Sequence, residues 1–125
     1  MQKQSITSPE WETPLAVIAG GFVFLSGTTS KEPEGNYLAP HDIEAQTHIV
    51  IDRVEAALKS VGSSLGHIVK VTAFIGDISQ WSLFNTAYLE HFKTDRPART
   101  TIQAGGFEEG ACIELDVIAI LPDQP

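Results

Sequence analysis

The sequence predicts an α+β domain: one mixed β-sheet with two helices packed on a single face. Three observations predict it. Two segments carry apolar residues at helical spacing, IEAQTHIVIDRVEAALKSVG and QWSLFNTAYLEHFK. Several short runs, among them FVFL, IVKVTAFI and CIELDVIAIL, are strand-length and rich in β-branched residues. The order of these pieces, β-β-α-β-α-β-β, lets helices and strands share one core.

The elements follow in order. PLAVIAGGFVFLSG reads as two strands around a Gly20-Gly21 turn, with Ser26-Gly27 ending the second. TTSKEPEGNYLAPHD is a polar loop punctuated by Pro and Gly. Asp42 is placed to cap the first helix, whose apolar positions Ile43, Val50, Val54, Ala57, Leu58 and Val61 recur at helical spacing. Gly62 suits the left-handed position that ends helices. SSLGH leads to the inner strand IVKVTAFI, and Ser79 is the expected cap of the second helix. On that helix Trp81, Phe84, Tyr88 and Phe92 line up as a core stripe. RPAR breaks the helix, TTIQA is a short strand, GGFEEG turns, and CIELDVIAIL is the last strand. In it Ile113, Leu115, Val117, Ala119 and Leu121 share one face, and Cys112, Glu114, Asp116, Ile118 and Ile120 the other. The second face is half polar and half apolar and suits neither water nor a core, so a homo-oligomer is expected to cover it.

Bulk properties narrow the function. The 125 residues fit one domain, residues 1–125, with one real core. Hydrophobic residues at 42% and charged ones at 19% predict a folded chain. A net charge of -8 leaves no basic stripe for a phosphate backbone, so nucleic acid is not an expected partner. The lone Cys112 cannot form an internal disulfide, which points to a reducing compartment. MQKQSITSPEWETP lacks the apolar core of a signal peptide, and no apolar run is long enough for a bilayer. A cytoplasmic location is expected. The histidines (His41, His48, His67, His91) lack metal-ligand spacing, so no metal site is expected.

Two residues raise a chemical question. Arg99 follows a Pro-Ala turn, and Glu114 sits on an otherwise apolar strand. A buried guanidinium is costly unless it meets an anion, and a half-buried carboxylate is costly unless it is solvated, paired or used. Together they suggest a small pocket that holds a carboxylate-bearing molecule and moves a proton. Arg99 as a surface residue and Glu114 as a solvated outer-face residue are the plain alternatives, and Asp116 reads as structural or solvent-facing. Ser26 lacks a nucleophile elbow and a partner base, so it reads as a strand-end serine that bonds backbone or ligand.

The segments SGT (26–28), AQT near the start of the first helix, SLGHIVKVTAFIGDISQWSLFNTAY, PART (97–100) and IELDVIAI (113–120) resemble the reactive intermediate deaminase (Rid, YjgF-like) family. The resemblance runs from about Pro14 to Leu121. It implies a chorismate-mutase-like fold, homotrimers with pockets at the subunit interfaces, and no metal or organic cofactor. The activity it implies is hydrolysis of 2-imino acids, or their enamine tautomers, to 2-oxo acids and ammonia. In that scheme Arg99 binds the substrate carboxylate, and Glu114 orients the attacking water and passes a proton to the departing nitrogen. Thr101 stands where the family commonly has Cys, a position that acts through its backbone carbonyl. Ser26 and Gly27 match the pocket wall, and Asn85 a polar position of the motif. Thr13 stands where the family usually has a tyrosine. Arg-Thr-Thr also resembles the 2-aminomuconate deaminase branch, so an unsaturated dicarboxylic enamine is a second substrate class. The rival readings are a non-catalytic binding protein for a carboxylate metabolite and, against the acidic charge, an endoribonuclease.

Overall fold

The computed structural model describes residues 2–123. It contains six strands, β1 (Gln4–Ile6), β2 (Ala16–Ala19), β3 (Phe22–Leu25), β4 (Ile68–Ile75), β5 (Ala98–Gln103) and β6 (Ile113–Ile120). Two helices, α1 (Ile43–Ser60) and α2 (Trp81–His91), pack against each other and against one face of the sheet. The strands lie in the order β1-β2-β3-β6-β4-β5. Every pairing is antiparallel except β4 with β5, which α2 links as a crossover.

The local reasons are those of the sequence. Gly20 and Gly21, at φ +60° and +83°, form the two-residue turn between β2 and β3, a conformation that L side chains resist. Asp42 caps α1, its carboxylate accepting from the Ala45 N–H at 3.0 Å. The core lies between sheet and helices, where Val23, Val50, Val54, Leu58, Val71, Ile75, Phe84, Ile113 and Leu115 are all buried.

Three expectations need correction. β1 is a strand that the sequence reading left out; it adds to β2 in the register Gln4↔Ile18. Ser79 does not cap the second helix. Asp77 does the capping one turn earlier, accepting from the Ser79 N–H at 3.0 Å at the head of a 3₁₀ turn that runs into α2. The aromatic stripe is also not all core: Phe84, Tyr88 and Phe92 are buried, whereas Trp81 is exposed.

The opposite face of the sheet is open. Phe22, Phe24 and Ile120 stand on it at 41–43% exposure, with Glu114, Asp116 and Ile118 beside them. Together Phe22, Phe24 and Ile120 make an apolar patch on the uncovered face of the sheet. Among the described residues no helix is long and apolar enough to cross a membrane.

Candidate active site

Strand parity decides where the candidate residues point. In β6 the residues alternate, so Ile113, Leu115 and Val117 face the helices and Glu114 faces away. In β5, Arg99 lies beside the buried Val71 and Thr101 beside the buried Ala73. Both therefore face the helices. Within one chain, Arg99 and Glu114 lie on opposite faces of the sheet, and the candidate residues form two groups.

The first group sits between α2 and β5, the edge strand. The Arg99 guanidinium carbon is 4.6 Å from the centre of the Tyr88 ring, 5.4 Å from Phe84 and 5.9 Å from Trp81. Residues 84, 88 and 92 are one helical turn apart and form a tilted-then-stacked column, 5.5 Å and 4.6 Å between centroids. Cation–π attraction holds the guanidinium in this cage but leaves its hydrogen bonds unmade. Its Nη1 is buried without a partner, and so are Asn85 Oδ1, Tyr88 OH and Thr101 Oγ1. Each of these four buried atoms, left without a partner, costs on the order of 1–3 kcal/mol. Burial pushes the Tyr88 phenol up to about 12, against the pull of Arg99 and Arg96, so it stays a neutral hydroxyl. Arg99 enters no ion pair among the described residues.

The second group lines a cavity of about 710 Å³ that contains Thr13, Ser26, Gly27 and Glu114. Thr28 pairs with Leu115 through two backbone hydrogen bonds, 2.9 and 3.0 Å, which lays Gly27 against the Glu114 side chain. A Cβ on Gly27 would come within 2.5 Å of Glu114 Oε2, so a larger residue there would push the carboxylate out of this position. Ser26 Oγ donates to the Pro14 carbonyl at 2.6 Å and so braces the wall. Thr13 lies in the segment before β2, and Trp11 and Leu15 line the same cavity. The Glu114 carboxylate accepts no hydrogen bond from the described residues, and burial, aided by the like charge of Asp116, raises its pKa above the ordinary carboxylate range.

Several contributors escaped the sequence reading. Gln46 is fully buried, and its amide nitrogen lies 2.7–3.1 Å from the carbonyls of Leu38, Ala39 and Gly110. Its oxygen accepts from the Cys112 N–H at 2.8 Å. One side chain thereby ties α1 to the loop before it and to the start of β6, two residues from Glu114. Arg53 reaches from α1 to the carbonyls of Thr29 and Lys31 and pairs with Glu32 at 2.8 Å. Hydrophobic periodicity is blind to both, because polar residues on a helix read as its wet face. Among the described residues no three His, Cys, Asp or Glu side chains gather as a metal-binding group.

Known proteins resemble this chain in sequence and fold. The family model for endoribonuclease L-PSP matches residues 6–121. A RutC family protein of Pyrococcus abyssi is 33% identical over 104 residues, 83% of this chain and 82% of that one. The solved structure of YyfA from Yersinia pestis, a protein of unknown function in the conserved Rid family, is 31% identical. It superposes with a TM-score of 0.85 over 95% of this chain and 99% of that one. Yeast Mmf1 is 26% identical, with a TM-score of 0.86 over 97% of this chain and 100% of its own.

Proposed function

The chain belongs to the endoribonuclease L-PSP family, also called the YjgF or Rid family, and from that premise we propose that it is a cofactor-free deaminase of small carboxylated imines or enamines, working as a homotrimer. One observation carries the reading. Each chain presents an unpaired guanidinium with a buried, partnerless Nη1 on the helix-covered face of its sheet, and an unpaired carboxylate that points from the other face into a cavity also lined by α1. A head-to-tail ring of copies sets the arginine side of one against the carboxylate side of the next. The exposed Phe22, Phe24 and Ile120 supply apolar surface for such a contact.

In this mechanism the substrate carboxylate takes the bidentate donors of Arg99 and relieves its orphaned Nη1. Asn85 brackets the same end, and the Thr101 backbone carbonyl accepts from the attacking water and places it with Glu114. Glu114 of the neighbouring copy takes a proton from water as the water oxygen bonds to the imine carbon. The C=N pair shifts to nitrogen, which receives that proton from Glu114. The hydroxyl proton of the resulting carbinolamine then passes to nitrogen by the same carboxylate, the C–N bond breaks, the carbonyl forms and ammonia leaves. The raised pKa of Glu114, from burial first and the charge of Asp116 second, makes it a stronger proton acceptor than an exposed carboxylate, as a group that takes and returns a proton requires.

The test is ammonia and oxo-acid release from a 2-imino acid generated in situ by an amino-acid oxidase, with wild type, Arg99→Ala and no protein. Acceleration by wild type alone is the expected result. If wild type accelerates neither this substrate nor an aminomuconate-like enamine, the deaminase reading fails. Carboxylate binding without turnover would then favour a binding protein.

A further inference from the structure

The cavity beside Glu114 holds a second ordered polar group that the mechanism above leaves unused. Tyr37 lines it, on the loop between β3 and α1. That loop is built as a small hairpin: Lys31 bridges Tyr37, the Glu32 N–H donates to the Asn36 carbonyl at 2.7 Å, and the buried Ser30 donates through Oγ to the Leu38 carbonyl at 2.9 Å. Arg53 pins one arm of the hairpin and Gln46 the other. So much anchoring on a polar loop fixes the phenol to a position rather than leaving it to sample solvent.

The phenol proton is already committed. Tyr37 OH donates to Glu108 Oε1 at 2.8 Å, and Lys31 Nζ donates to the same oxygen at 2.7 Å. Those two bonds hold Glu108 ionised, its pKa lowered by Lys31 first and Tyr37 second. Burial, the Glu108 bond and the charges of Glu108 and Glu114 push the Tyr37 phenol up to about 12, so it keeps its proton. A hydroxyl that must donate to one carboxylate has only lone pairs left for anything else. A bond to an ionised acceptor also polarises the oxygen and makes it a better acceptor in turn.

We propose that Tyr37 is a further catalytic residue of this site, its oxygen accepting an N–H of the substrate nitrogen while Glu114 handles the proton, with the Lys31–Glu108 pair as the positioning device. The proposal rests on the hydrolytic reading. At the step where the carbinolamine nitrogen gains its last proton, positive charge gathers on that nitrogen. An acceptor fixed beside it stabilises the leaving ammonia, and it does so more in the transition state than in the imine. Arg99 holds the other end of the substrate, so the two contacts separate in kinetics: loss of Arg99 weakens binding and loss of the Tyr37 hydroxyl slows turnover.

The experiment measures kcat, KM and melting temperature for wild type, Tyr37→Phe, Glu108→Ala and the double variant in the imino-acid assay. The expected Tyr37→Phe result is a kcat lower by about 10-fold, the loss of one hydrogen bond to a charged group, with KM and melting temperature near wild type. Glu108→Ala is expected to lower kcat less, and the double variant to be no slower than Tyr37→Phe. An unchanged kcat in Tyr37→Phe with active wild type overturns the proposal and leaves the deaminase standing. A raised KM with a lowered melting temperature makes Tyr37 a brace of the loop and also overturns it. Inactive wild type overturns both.

Discussion

The two sides of the sheet hold their polar groups in different ways. On the arginine side a cation is fixed by packing, with three rings around the guanidinium and four buried polar atoms left without partners. Around the Glu114 carboxylate loops are fixed by hydrogen bonds: Lys31, Glu108, Tyr37 and Ser26 are satisfied, Arg53 and Gln46 brace the loop from α1, and Glu114 is left free. A packed cage positions a charge rigidly but cannot neutralise it. A hydrogen-bonded loop sets distances to a carboxylate but leaves a cavity. Each side lacks what the other offers, and the proposed site shared between copies would bring the two together.

Substitutions should divide along this line. The largest effect is expected for Glu114→Gln, which keeps the shape and removes the base: kcat should fall by about 10²–10⁴-fold with KM little changed. Because the Glu114 pKa is raised in the folded chain, its ionisation opposes folding as the pH rises through that value. Glu114→Gln should therefore melt higher than wild type at neutral pH, and equally at acid pH. Arg99→Ala should lower kcat/KM by about 10²–10³-fold, chiefly through KM, as expected when one partner of a buried charge pair is removed. Calorimetry with a 2-oxo acid checks the binding loss directly.

Gln46→Ala should act on the scaffold of the carboxylate side. Leaving the Cys112 N–H unpaired, while the Leu38 and Gly110 carbonyls keep their bonds from Ser30 Oγ and the His41 N–H, is expected to cost on the order of 1–3 kcal/mol in urea unfolding. The smallest effect is expected for Asp116→Asn. Removing a like charge lowers the pKa of Glu114, so the acid limb of the kcat profile should move to lower pH. Maximal turnover should stay near wild type. An acid limb that does not move would separate Glu114 from that limb.

Much of this was legible in the sequence because it depends on local rules. The Asp42 cap, the Gly20-Gly21 turn and the alternation of β6 each follow from a few adjacent residues. β1 escaped because Gln4–Ile6 spans three residues with little apolar content, and it exists only by pairing with β2. The face of Glu114 was readable from its own strand. The face of Arg99 was not, since it depends on the register Val71↔Arg99 between strands far apart in the chain. Reading both residues as walls of one pocket was therefore open to two geometries, within a chain or between chains. Trp81 reads as core because helical spacing gives a stripe but not how far its cover extends; at the first turn of α2 the ring is exposed.

The most direct test of a site shared between copies mixes two dead proteins. Arg99→Ala retains Glu114, and Glu114→Gln retains Arg99, so each homotrimer has no intact site. Unfolding an equal mixture of the two and refolding it together should restore about a quarter of wild-type activity, since about three-quarters of random trimers are mixed and each regains one site of its three. Activity no higher than that of the separate variants, in a mixture shown to have exchanged subunits, would contradict the account.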